Sequence, residues 1–192
     1  TVDRAIGRLT DGLKARGIEA NLVIVADHGM AATPDSEKIF YDDLLPKEAA
    51  RTIAMGAFLS LYPNPGRDAE VARALLRPHE HMQCWRKRDI PRRFHYGANP
   101  RVPPYFCLPQ TGWTVTTHGY KAKNPERGAH GFDAYSPEMA AIFIASGPAF
   151  RPGVTLPSFD NVDVYPLLAR LIAVKPETND GRLADVEAAL TR

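Results

Sequence analysis

Little in this sequence is extreme, and its scarcities narrow the possible classes first. No apolar run approaches the roughly twenty residues of a membrane-spanning helix. Low-complexity tracts and internal repeats are absent, which excludes a disordered tail and a solenoid. Neither sign of charge dominates: 24 basic and 22 acidic residues leave a net charge of +2. There is thus no electrostatic footprint for duplex nucleic acid. The densest basic cluster, Arg86-Lys87-Arg88 with Arg92-Arg93, reads as a solvated hairpin surface. Only two cysteines occur, Cys84 and Cys107, each in a predicted strand. They fit either one cross-strand bridge in an oxidising compartment or two buried thiols. The sequence opens on Thr1 rather than on methionine, its first residues do not read as a secretory leader, and a helix is expected to be under way at once.

What is present is enough for a substantial core. A chain of 192 residues with 44% hydrophobic content and 17 prolines describes one domain or a little more, with long, punctuated connections. Its centre is Asn21 to Met30, where the apolar run Leu22-Val23-Ile24-Val25-Ala26 ends abruptly in Asp27-His28-Gly29. The run is too short for a helix, rich in β-branched residues and without alternation, so it predicts a strand covered on both faces, as in a parallel sheet flanked by helices. Such open sheets bind ligands at the carboxyl ends of their strands, where Asp27 and His28 fall. Adjacent residues on a regular strand point to opposite faces, so joint action by the two requires the strand to break at Asp27, and Gly29 makes the break feasible.

Val2, Ile6, Leu9 and Leu13 recur at helical spacing, with Gly17 as the stop. A helix running directly into a core strand is the second half of a crossover unit. The chain is therefore expected to be the C-terminal portion of a longer one. Strands are predicted over 51–55, 57–62, 82–87, 105–108 and 113–117, with a helix from Asp68 to about Leu76. Residues 56–117 read as a smaller α+β insertion or cap, between a core segment 1–55 and a return to the core over 118–192. Residues 118–127 read as a mobile loop. A buried strand is predicted from Met139 to Ala145, stopped by Gly147-Pro148. Residues 160–173 predict an amphipathic helix with Val162, Tyr165, Leu168, Leu171 and Ile172 on one face, followed by a tail of turn and surface.

A second informative stretch is Gly128-Ala129-His130-Gly131-Phe132-Asp133. A carboxylate and neutral imidazoles suit zinc, which polarises phosphoryl oxygens and generates nucleophiles near neutral pH. Spacing alone cannot pair His130 with Asp27 and His28. His118, which also precedes a glycine, competes with it but lacks the Phe-Asp continuation. The remaining histidines have plainer readings: His79 and His81 exposed near a helix end, His95 packed and hydrogen-bonded. Trp85, Trp113 and Tyr105 are assigned to cross-strand packing rather than a substrate shelf.

Taken together, Val-Ile-Val-Ala-Asp27-His28-Gly29-Met30 and Gly-Ala-His130-Gly131-Phe132-Asp133 resemble the nucleotide pyrophosphatase/phosphodiesterase family of the alkaline phosphatase superfamily. The segments Arg92 to Tyr96, Met139 to Pro148, Phe159 to Tyr165 and Asn179 to Gly181 follow in the family's order. The resemblance implies a three-layer α/β/α sandwich with a mostly parallel sheet. It also implies a two-zinc hydrolase that cleaves phosphodiester or pyrophosphate bonds, in nucleotides, through a covalent intermediate on a threonine or serine. Asp27 and His28 match ligands of the zinc beside that nucleophile, and His130 matches a ligand of the other. Gly131 and Asp133 match the rest of the motif and are expected to orient its loop. The nucleophile and the remaining ligands are expected upstream, so the chain requires an N-terminal half as partner and lacks turnover alone. A location outside the cytoplasm, periplasmic or extracellular, is implied by resemblance only. The same metal motifs would also serve a phosphonate, phospholipid or sulfate ester hydrolase, and a catalytically inactive binding module is the third reading.

Overall fold

A computed structural model describes residues 1–121 and 127–191. In chain order the elements begin α1 (Val2–Ala15), β1 (Leu22–Val25), β2 (Ala31–Ala32), β3 (Lys38–Phe40), β4 (Ala50–Ala54), β5 (Leu59–Pro63) and α2 (Asp68–Leu75). They continue β6 (Met82–Arg86), β7 (Tyr105–Pro109), β8 (Thr114–Thr116), β9 (Gly128–Ala129), β10 (Phe143–Ser146) and α3 (Val164–Leu171). The chain forms two compact units, one of residues 1–27 and 141–192, the other of residues 28–140.

In the first unit, α1 ends as its sequence predicts. Gly17 adopts φ 65°, and the amides of Gly17 and Ile18 donate to the carbonyls of Lys14 and Leu13, which closes the last turn in a Schellman motif. β1 pairs antiparallel with β10, Leu22 opposite Ser146 and Val25 opposite Phe143. Val23, Phe143 and Ala145 pack against a core of Phe150, Leu167, Val186 and Ala189. The expected double-sided burial is not met within this unit, because Val25 and Ile144 remain 45% and 49% exposed. The strand near 139–145 is also shorter than expected: Met139 belongs to a 3-10 turn, Pro137–Met139, and pairing starts at Phe143.

α3 is preceded by a 3-10 turn, Asn161–Asp163, and of the five predicted apolar-face residues only Leu171 packs against the core. Val164, Pro166, Leu167 and Ala169 are buried, whereas Val162, Tyr165, Leu168 and Ile172 are exposed. The helix is apolar on both sides, so periodicity could not choose between them. The tail is better anchored than its turn-like composition suggests. Buried Asp163 accepts the Arg182 amide at 2.7 Å, and a Cβ on Gly181 would lie 2.2 Å from the Val162 carbonyl oxygen.

The second unit is built on an antiparallel sheet in the order β4-β5-β7-β6. The helix α2 buries Val71 and Leu75 in a core with Leu59, Leu61, Met82 and Tyr105. Cys84 and Cys107 sit directly opposite each other on β6 and β7 and form a disulfide. The Tyr105 hydroxyl donates to the Asp68 carboxylate at 2.8 Å, and Arg86 holds the same carboxylate through both terminal nitrogens. Trp85 stacks on its cross-strand neighbour Phe106, and Trp113 on His81. Among the described residues the one parallel pairing is β3 with β8. Of the expected mobile loop at 118–127, residues 122–126 lie outside the described residues.

Candidate functional site

The two motifs meet through a very short ladder. β2 directly follows the Asp-His-Gly-Met stretch and β9 directly precedes His130. They pair antiparallel, Ala31 opposite Ala129 and Ala32 opposite Gly128. Space is tight here, since a Cβ on Gly128 would lie 3.2 Å from Met30 Cγ and 3.3 Å from the Ala31 carbonyl oxygen. The pairing brings the His28 and His130 rings into a stack, with centroids 3.7 Å apart and planes 13° from parallel.

The His28 imidazole is fixed by the backbone. His28 Nδ1 lies 2.9 Å from the Gly29 carbonyl oxygen. A carbonyl can only accept, so Nδ1 carries the hydrogen and Nε2 bears the lone pair of the neutral ring, the atom with which it can meet an electrophile. Gly29 donates its amide to the Met139 carbonyl at 2.9 Å. It must be glycine because a Cβ there would sit 2.1 Å from the Glu138 carbonyl oxygen. On the other motif, Gly131 takes φ 97°, a conformation that excludes a β-carbon without strain. Phe132 is 5% exposed and packs with Ala31, Ala57 and Met139 in a small core.

Asp133 is held by Arg93, whose guanidinium donates to both carboxylate oxygens at 2.9 and 2.5 Å. The Tyr135 amide donates to the same carboxylate at 3.0 Å. The Arg93 fork, and to a lesser degree the amide, keep this carboxyl below the usual carboxylate range. Asp27, the third predicted ligand, is the exposed last residue of the first unit's N-terminal segment. Its carbonyl accepts a hydrogen bond from the Asn161 side-chain amide at 3.0 Å. Among the described residues, no three His, Cys, Asp or Glu side chains are grouped so as to hold a metal ion. Of the predicted ligands the structure brings His28 and His130 together, and an imidazole nitrogen is a donor that suits zinc.

The other histidines lie elsewhere. His118 stacks on Phe40, and its Nε2 lies 3.0 Å from the Asp43 carboxylate. His79 and His81 are half-buried rather than exposed, and His95 is exposed rather than packed, in a left-handed turn with φ 48°. Residue patterns did not single out Arg93 as a partner for Asp133, nor Phe132 as the anchor. The alternation of small residues beside each motif, Ala31-Ala32 and Gly128-Ala129, is the signal from which the ladder could have been found.

A family model described as type I phosphodiesterase / nucleotide pyrophosphatase matches residues 1–133. Human ectonucleotide pyrophosphatase/phosphodiesterase family member 7 is 34% identical, over 95% of this chain and 41% of its own length. Mouse bis(5'-adenosyl)-triphosphatase is 31% identical, over 98% of this chain and 41% of its own. Murine ectonucleotide pyrophosphatase/phosphodiesterase 5, solved as an inactive threonine-to-alanine variant in complex with AMP, matches with a TM-score of 0.92 at 32% identity, covering 99% of this chain and 51% of that one. The chain thus spans about two fifths of the length of the curated relatives it matches.

Proposed function

Since the chain belongs to the type I phosphodiesterase / nucleotide pyrophosphatase family, we propose that it supplies part of the active site of a zinc-dependent hydrolase of phosphodiester or pyrophosphate bonds in nucleotides. The observation that carries the reading is the parallel stack of His28 and His130. Lone pairs lying in two nearly parallel planes do not converge on one ion, which supports assigning each imidazole to a different zinc. Asp27, next in sequence to His28, is assigned to the same zinc as that histidine. A pair of zinc ions, when bound, stabilises the entering and leaving oxygens of an in-line displacement at phosphorus.

The chain's own contribution is orientation. His28 is held with its lone pair on Nε2 by its bond to the Gly29 carbonyl, and His130 is held between β9 and buried Phe132. The nucleophile is assigned to a threonine or serine in an upstream segment. That assignment is supported by the AMP-bound relative, which is inactive as a threonine-to-alanine variant. The upstream segment is also the proposed partner of the apolar surface left open on the first unit at Val25, Ile144, Leu168 and Ile172. It would complete a mostly parallel three-layer sandwich, in which residues 56–117 form the insertion between core segments 1–55 and 118–192.

A nucleotide substrate accords with the relative that binds AMP and the one named for a bis-adenosyl triphosphate. An extracellular or periplasmic location is supported by the relatives' description as ectonucleotide enzymes and by the Cys84–Cys107 disulfide. Among the described residues no helix is long and apolar enough to cross a membrane.

Zinc stoichiometry tests the reading. The protein with its native upstream sequence should bind two zinc ions and lose one in His130→Ala, while the 192-residue chain alone should not turn over a nitrophenyl phosphodiester. Failure of either form to hold zinc would overturn the ligand assignment and leave a binding module.

A further inference from the structure

We propose that Arg93 and Asp133 form a positioning clamp that sets the direction of His130 from outside the metal site, a role that rests on the assignment of His130 as a ligand. His130 is exposed, and its ring stacks on that of His28. On its N-terminal side it is fixed by the β2–β9 pairs. On its C-terminal side Gly131 takes a positive φ, Phe132 plugs into the core, and Asp133 is the first residue tied by charge.

That tie is specific in geometry. The Arg93 fork meets both oxygens of the Asp133 carboxylate, an arrangement the point charge of a lysine cannot reproduce. The guanidinium lies 4.0 Å over the Phe94 ring and 5.5 Å from the Tyr135 ring centroid. The Tyr135 hydroxyl returns a hydrogen bond to the Arg93 carbonyl at 3.2 Å, so the two segments are latched in both directions. The loop is fastened again at Ser136, whose hydroxyl lies 2.5 Å from that of Thr111. A partly exposed ion pair adds little to global stability. Its geometric precision three residues after His130 is what the clamp contributes.

The test uses the protein with its native upstream sequence and measures zinc affinity by chelator competition. The variants are Asp133→Asn, Arg93→Lys, the reciprocal exchange Arg93→Asp with Asp133→Arg, and His130→Ala. The clamp predicts that one zinc is weakened about 10–100-fold in Asp133→Asn, less in Arg93→Lys, and is recovered in part by the exchange. The other zinc and the melting temperature should change little. Unchanged affinity in Asp133→Asn and Arg93→Lys, with one zinc lost in His130→Ala, would overturn the clamp while leaving the ligand assignment standing. Unchanged zinc binding in His130→Ala would overturn both. If Asp133→Asn fails to fold, Arg93→Lys decides alone: selective weakening of one zinc supports the clamp, and equal weakening of both overturns it.

Discussion

Replacing Gly29 by alanine should be among the costliest single-methyl additions in the second unit. The new Cβ would lie 2.1 Å from the Glu138 carbonyl oxygen, 2.8 Å from that of Ala140 and 2.9 Å from the Glu138 carbonyl carbon. All three are backbone atoms, so no side chain can swing aside. To relieve the overlap, the turn Pro137–Met139 must retreat. Retreat breaks the bond from the Gly29 amide to the Met139 carbonyl and loosens Met139, 7% exposed, from Ala31, Ala57 and Phe132. Overpacking costs about 1–3 kcal/mol and a lost hydrogen bond about 1 kcal/mol, for a total of roughly 2–4 kcal/mol. The assay is urea unfolding, with Gly7→Ala as control. Gly7 lies inside α1, and a β-carbon there would have nothing within 4 Å, so alanine should stabilise by up to about 1 kcal/mol. A Gly29→Ala midpoint within about 0.5 kcal/mol of the parent would refute close backbone approach as the reason for this glycine.

Two further outcomes follow from the second unit. Tyr105 is fully buried, and burial together with its bond to Asp68 raises its pKa to about 12. An unfolded tyrosine ionises near pH ~10, so above that pH the unfolded chain releases a proton that the native one keeps, and stability falls as pH rises towards the native value. Tyr105→Phe should therefore be less stable than the parent at neutral pH and lose less stability between pH ~10 and the native pKa, as urea midpoints across that range will show; parallel curves would refute the coupling. Cys84 and Cys107 are separated by 23 residues, and opening a loop of that size should cost about 3 kcal/mol. A reductant that leaves the urea midpoint unchanged would contradict this.

The sequence was most legible where local chemistry decided the outcome. Gly17 stops α1 and Asp68 to Leu75 form a helix, as spacing and turn residues require. The family resemblance, carried by residues around His28 and His130, is matched by the family model and by the solved relatives. What stayed hidden depended on non-local packing. Nothing in the alternation of 160–173 states which side of an apolar helix finds Phe150 and Val186. The two cysteines could be placed on strands, but their bridge needed the register that sets Cys84 opposite Cys107. Arg93 and Asp133 are forty residues apart, and no spacing rule joins them.

The β2–β9 ladder has a topological consequence. It closes the chain between Ala32 and Gly128 into a ring pinned at its neck, from which Ala57, Arg93 and Thr111 reach back to hold Phe132, Asp133 and Ser136. The entropic cost of closing such a ring grows only logarithmically, by about 0.6 kcal/mol for each doubling of its length. Residues inserted in the ring's exposed turns, away from Ala57, Arg93 and Thr111, should therefore cost little and leave the spacing of the two imidazoles at its neck unchanged. The walls around the histidines can diversify while the histidine pair itself stays constant.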